Sequence, residues 1–137
     1  MVVGLEQNKA TIRRWYAELD KANLKALDDI LSPHIVVHFP GETGPIGRDE
    51  YMKINRKFFA GFSDFQTTVL DQIGEGDKVV TRAMHSVVHT GEYEGVRPSG
   101  KRLSYSYIAI DRFEDGKVVE HWVEYDEAGL QRQLKST

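Results

Sequence analysis

An α+β domain is what the order of hydrophobic periods predicts: helical spacing up to Phe62, then a switch to period two that lasts as far as Tyr125. The connections between the later segments are short, and Asp115-Gly116 is a strong signal for a two-residue hairpin. Strands joined that way form an antiparallel meander, so the expected architecture is a curved antiparallel sheet wrapped around N-terminal helices. A twisted sheet backed by amphipathic helices leaves a conical cavity between the layers, where a small molecule would sit.

The elements follow in order. Leu5, Ile12, Trp15, Tyr16 and Leu19 fall largely on one face of a first helix, with Arg13, Arg14, Glu18 and Lys21 elsewhere. Leu24, Leu27, Ile30 and Leu31 repeat the pattern over a shorter second helix, expected to stop at Ser32-Pro33. The β-branched run His34 to Phe39, closed by Pro40-Gly41, reads as a short strand, and residues 41–47 as a turn cluster. A third helix is expected from Arg48-Asp49, its apolar side made by Tyr51, Ile54, Phe58, Phe59 and Phe62. Four strands then alternate through 65–73, 78–93, 101–113 and 117–125. The polar tail from Asp126 to Leu134 has the pattern of a final helical turn, with Asp126 placed to cap it.

Composition bounds the function. The 137 residues suit one domain spanning 1–137, and 40% apolar content leaves room for a core. Eighteen basic residues stand against 21 acidic ones, a net charge of −3, and the basic ones never form a run. That balance argues against general nucleic-acid binding, which rests on neutralised phosphates. With no cysteine, disulfides, thiolate metal sites and Cys nucleophiles are excluded. No apolar stretch approaches the roughly 20 residues of a membrane span, and Met1-Val-Val-Gly-Leu-Glu-Gln lacks the pattern of a secretory leader. The expected setting is cytoplasmic, with no membrane partner. There is no G-x-G-x-x-G, P-loop, H-E-x-x-H or G-x-S-x-G pattern, and no cofactor is expected.

Four segments together resemble a known family. His89-Thr-Gly-Glu-Tyr-Glu-Gly-Val-Arg-Pro-Ser-Gly-Lys101 resembles the Gly- and Pro-punctuated hairpin signature of SnoaL-like proteins. Asp111-Arg-Phe-Glu-Asp-Gly-Lys-Val-Val-Glu-His-Trp122 is similar to their penultimate hairpin, Asp126 to Leu134 to their closing segment, and His38-Phe-Pro to a motif near their front. The resemblance implies the cystatin-like cone of the nuclear transport factor 2 superfamily. The best-known SnoaL-like proteins are polyketide (ester) cyclases, which close a ring by an intramolecular aldol step. Relatives on that fold include hydrolases, isomerases and plain binding modules, so the fold supplies a pocket and not a chemistry.

The resemblance also implies an Asp directly after the final-strand Trp and a partner His three residues before the Arg. Here those positions are Val123 and Ala109, and neither exchanges a proton. Strand alternation shows what could replace the pair. His121, Val123 and Tyr125 share one face of the last strand; Tyr105, Tyr107, Ala109 and Asp111 share one face of its neighbour. If the Val123/Ala109 face is the cavity face, as the resemblance implies, His121 is the candidate proton carrier and Tyr105 or Tyr107 the candidate oxyanion donor. Trp15, His38, Phe39, Phe58, Ala109, Val123 and Tyr125 are the expected substrate-binding residues.

Each assignment has a plainer rival. His121 would equally be a packed histidine satisfied by a backbone carbonyl, and His38 a structural residue at a strand end. His85 and His89 share a face but lack a carboxylate at ligand spacing, so no metal site is expected. Glu124 and Asp126 belong to the outer face, as do the partners of Arg112 and Arg82. A register shifted by one residue would bring Trp122, Glu124 and Asp126 into the pocket instead and favour a hydrolase. The leading expectation is a cyclase- or isomerase-type enzyme acting on a small apolar or aromatic carbonyl compound. The rival from another class is a non-catalytic binding protein for a hydrophobic metabolite. A homodimer through the outer sheet face, covering Trp122, is expected in either case.

Overall fold

In a computed structural model of the chain, which describes residues 4–136, helices pack on one side of a five-stranded sheet. Met1 to Val3, the start of the stretch found above to lack a leader pattern, lie outside the described residues. Helix α1 spans Leu5–Asp20 and buries Ile12, Trp15 and Tyr16 of the predicted stripe, with Asn8 buried beside them and Leu5 and Leu19 half-buried. Its end is tied to the sheet, because the Asp20 carboxylate accepts from both the backbone N–H and the hydroxyl of Thr67, at 3.0 and 2.8 Å.

The expected second helix is shorter than its apolar pattern. A 3₁₀ turn over Leu24–Ala26 leads into α2, Leu27–Ile30, and strand β1 begins at once, running Leu31–His38. Ser32-Pro33 therefore lies inside a strand. Pro is tolerated there because β1 is an edge strand whose register slips between Leu31 and Val36, so no ladder bond is asked of its missing N–H. Helix α3, Arg48–Gly61, ends one residue before Phe62, which opens β2 (Phe62–Glu75). The remaining strands are β3 (Lys78–His89), β4 (Arg102–Glu114) and β5 (Lys117–Tyr125). Two-residue turns join β2 to β3 and β4 to β5. At the latter, Asp115 and Gly116 both take positive φ, 52° and 79°, as the hairpin signal requires.

The sheet order is β1-β5-β4-β3-β2. Strands β2 to β5 form the antiparallel meander, but β1 runs parallel to β5, so the sheet is mixed and not purely antiparallel. The chain leaves β1 through α3 and the meander before β5 returns beside it, which supplies the long crossover that a parallel pair needs. The tail is a full helix, α4 (Glu127–Lys135), and Asp126 does cap it, its Oδ1 accepting from the Gly129 N–H at 2.9 Å.

Two apolar clusters fill the interior. One lies under α1 and contains Ile12, Trp15, Leu27, Ile30, Val79 and Phe113; the other lies toward α4 and contains Phe62, Val87, Leu103, Leu130 and Leu134. Side chains of these sizes contribute about 1.5–3 kcal/mol each when fully buried. A cavity opens between the clusters. Among the described residues no helix is long and apolar enough to cross a membrane.

Candidate functional site: a buried histidine–carboxylate pair under an aromatic cavity

The site begins with register. Asp111 on β4 and His121 on β5 are direct cross-strand partners, so their side chains rise from the same face of the sheet. His121 Nδ1 lies 2.6 Å from Asp111 Oδ1, and both side chains are 0% exposed. A carboxylate only accepts, so Nδ1 carries the proton and donates it to Asp111. In the neutral ring Nε2 is then a bare acceptor, and it has no hydrogen-bond partner among the described residues. The plainer rival for His121, a bond to a backbone carbonyl, is not what the structure shows.

The pair is walled by aromatic rings. The His121 ring packs 5.0 Å from Trp15 and 5.6 Å from Tyr51, centroid to centroid. Trp15 Nε1, Tyr16 Oη and Asp111 Oδ2 are also buried without a partner. Buried polar groups are normally satisfied, so four unmet atoms on three adjoining elements mark a polar floor at the His121 end of the cavity.

The cavity has an accessible volume of about 120 Å³ and opens to solvent on one side. His121 and Val123 form part of its lining, with Tyr51 and Phe58 from α3, Tyr105 and Tyr107 from β4, and His85 from β3. Burial pushes the phenols of Tyr16, Tyr51, Tyr105 and Tyr107 well above their ordinary value, and that of Tyr93 up to about 12. All of them are therefore neutral hydrogen-bond donors near neutral pH. Burial pushes the His85 imidazole down, to about 4.

Of the residues that the sequence nominates, His121, Tyr105, Tyr107, Phe39, Phe58, Val123 and Tyr125 line this cavity. Three do not. Trp15 is fully buried behind His121 and supports the ring. Ala109 is buried too, but a methyl group is too short to reach the space that its tyrosine neighbours line. His38 is on the other side of the sheet. It is the register partner of Trp122, shares that residue's outer face, stacks on it at 5.2 Å and 4°, and sits 2.8 Å from Glu120. The outer-face assignments of the two arginines hold, with Arg112 on Glu114 and Glu120, and Arg82 on Asp71. His89 is buried at its hairpin, Nδ1 3.4 Å from the Ser99 N–H.

Sequence reasoning missed four contributors: Asp111 as the partner of His121, Tyr51 beside it, and His85 with Thr67 farther along the cavity. Tyr105, nominated as an oxyanion donor, packs against His85, whereas the phenol in contact with His121 is Tyr51. Among the described residues no three His, Asp or Glu side chains are gathered as a metal site.

Comparison with known proteins agrees with the fold. The sequence profile of SnoaL-like polyketide cyclases matches residues 10–134. Among solved structures, AclR of Streptomyces galilaeus, a proposed hydroxylase, is 29% identical with a TM-score of 0.89, covering 96% of this chain and 97% of its own. IdmH of Streptomyces antibioticus, a proposed polyketide cyclase, is also 29% identical, with a TM-score of 0.86 over 95% of this chain and 99% of its own. TsrD of Streptomyces laurentii is 28% identical, with a TM-score of 0.84 over 99% of this chain and 100% of its own. No curated protein matches the chain in sequence.

Proposed function

The chain belongs to the SnoaL-like polyketide cyclase family, and from that premise we propose that it is a cyclase- or isomerase-type enzyme acting on an aromatic or polyketide-like carbonyl compound. Membership alone leaves the reaction open, since two neighbours of equal identity carry different proposed activities. The observation that carries the reading is the His121–Asp111 pair, with an unpartnered Nε2 on a ring that lines the cavity.

The chemistry follows from that pair. Nε2 of neutral His121 takes the proton from the carbon beside the substrate carbonyl, and the electron pair moves onto the carbonyl oxygen. Asp111 accepts from the Nδ1–H, fixes the tautomer and stabilises the imidazolium that forms. The Tyr51 hydroxyl, held neutral by burial, donates to the enolate oxygen. His121 exposes no surface of its own, so the substrate reaches it when a floor side chain turns aside; Tyr51, in contact with its ring, is the candidate. The enolate carbon then attacks a second carbonyl, or is reprotonated by His121 at another position.

A second reading has its own support. The positions where the resemblance places an Asp and a His are Val123 and Ala109, which favours a non-catalytic binding protein for a hydrophobic metabolite. Deuterium exchange separates the two. In D₂O, the wild-type protein is expected to speed exchange at the carbon beside the carbonyl of 1-tetralone, and His121→Gln to abolish that effect. Saturable binding of 1-tetralone with no exchange would leave the binding protein as the function. In either case we infer a homodimer through the outer sheet face, where Met84, Ile108 and Ile110 stand exposed beside Trp122.

A further inference from the structure

A second polar group enters the cavity from β3. His85 Nδ1 lies 2.9 Å from Thr67 Oγ1, and that same hydroxyl lies 2.8 Å from Asp20 Oδ1. The Thr67 backbone N–H also donates to Asp20, at 3.0 Å, so the carboxylate is held against the threonine at two points. A hydroxyl has one hydrogen. Because a carboxylate accepts and does not donate, that hydrogen points to Asp20. What Thr67 offers His85 is then a lone pair, and Nδ1 of His85 must be the donor. The chain Asp20–Thr67–His85 thereby fixes the tautomer, leaving Nε2 without a proton and without a hydrogen bond among the described residues.

None of the phenols packed around the ring donates to that nitrogen, since the one side-chain hydrogen bond of His85 among the described residues is to Thr67. Three rings surround the imidazole: Tyr107 at 4.6 Å and edge-on, Tyr105 at 5.3 Å, and Tyr16 at 5.9 Å and edge-on. His85, Thr67 and Asp20 all line the cavity. On β4 the register partner of His85 is Tyr105, near the start of the strand, while that of His121 is Asp111, near its end. The two histidines therefore serve different ends of one cavity. Burial favours the neutral ring, in keeping with an acceptor and not a cation.

We infer that His85 is a specificity-determining acceptor, which selects ligands carrying a hydroxyl or N–H donor at the end of the cavity away from His121. The inference rests on reading the cavity as a ligand site, and it narrows the ligand class to carbonyl compounds that also bear a phenol, enol or amide N–H. A net neutral hydrogen bond contributes about 0.5–1.5 kcal/mol, which near its upper end is a tenfold preference.

The test uses paired probes, 2-naphthol and its methyl ether 2-methoxynaphthalene, with the intact protein. Wild type is expected to bind 2-naphthol about tenfold more tightly. His85→Phe, which keeps an aromatic ring and removes the acceptor, should bind both equally. Thr67→Val, which frees the tautomer, should shrink the preference to about threefold. Nitrogen NMR of wild type needs no variant: Nδ1 should carry the proton, and Nε2 should be bare and move with 2-naphthol but not with the ether. A protonated Nε2, equal binding of the probes to wild type, or a preference surviving in His85→Phe overturns the role of His85 alone. Failure of both probes to bind overturns the reading of the cavity as well.

Discussion

His121 Nδ1 and Asp111 Oδ1 face each other across a β-hairpin at 2.6 Å, with neither side chain exposed to water. Removing one member of such a pair leaves the other buried and uncompensated. Asp111→Ala is expected to lower stability by about 3–5 kcal/mol, and a double-mutant cycle with His121→Phe to show a coupling above about 1 kcal/mol. Urea unfolding checks both, and simple additivity would mean that the contact has no energetic content.

Asp111→Asn keeps the shape and loses the charge, and its amide N–H₂ can now donate to Nδ1, so the ring's proton moves to Nε2. Exchange of 1-tetralone should then fall by about 10²–10⁴ while binding holds. An exchange rate within a few fold of wild type would separate Asp111 from the reaction.

Tyr51→Phe removes one hydroxyl from the floor and little packing. The expected loss in exchange rate is about 100-fold, with stability changed by no more than about 1 kcal/mol. A variant that exchanges normally would hand the oxyanion role to Tyr107.

The depressed His85 has a signature in stability against pH. Its folded value near 4 lies below the ordinary 6.5, so between those values the unfolded chain binds the extra proton. Its contribution is fully present above about pH 6.5 and is lost as pH falls toward 4, a swing of about 3 kcal/mol at most. Thr67, itself bonded to Asp20, and the rings of Tyr16, Tyr105 and Tyr107 face the same imidazole. Urea midpoints at pH 4.5, 5.5 and 7, compared between wild type and His85→Phe, isolate the effect. Parallel curves would refute it.

Gly91 sits where the turn after β3 presses on α3. A Cβ there would fall 2.0 Å from the Ala60 carbonyl oxygen, which is backbone and cannot swing away. Gly95, at φ 78° with open space around it, pays only the conformational penalty of a side chain. Thermal unfolding should therefore show Gly91→Ala losing well over 2 kcal/mol and Gly95→Ala about 1. The reverse order would be incompatible with this packing.

The fold was legible from the sequence because its strongest signals are local: the stripe through Ile12 and Trp15, the Asp115-Gly116 turn, the alternation through β3 to β5. The parallel seat of β1 was not legible, since no local period records which distant strand a segment will join. The site failed more instructively. Counting back from the turn pairs Asp111 with Glu120. A register shift between Arg112 and Phe113 moves the pairing by one residue, so Asp111 meets His121 and Arg112 meets Glu120. That irregularity has no sequence mark, and without it the Asp111 carboxylate has no evident partner. His38 was misplaced for a related reason, because a strand's face follows its register partner, here Trp122.

The parallel β1–β5 pair also orders events in time. His38 and Glu120, which join these strands, are 82 positions apart, whereas Asp111 and His121 belong to one hairpin. Closing the long loop carries the larger entropic barrier, so the meander should assemble first and β1, with its neighbouring helices, dock afterwards. During that interval the His121–Asp111 pair lies on an open sheet, bathed in solvent. Trp15 and Tyr51, which arrive with the late segment, are what dry it. A refolding chain is thus expected to pass through a stage in which this pair is formed but wet, and kinetic pulse-labelling should see the β4–β5 amides protected before those of β1.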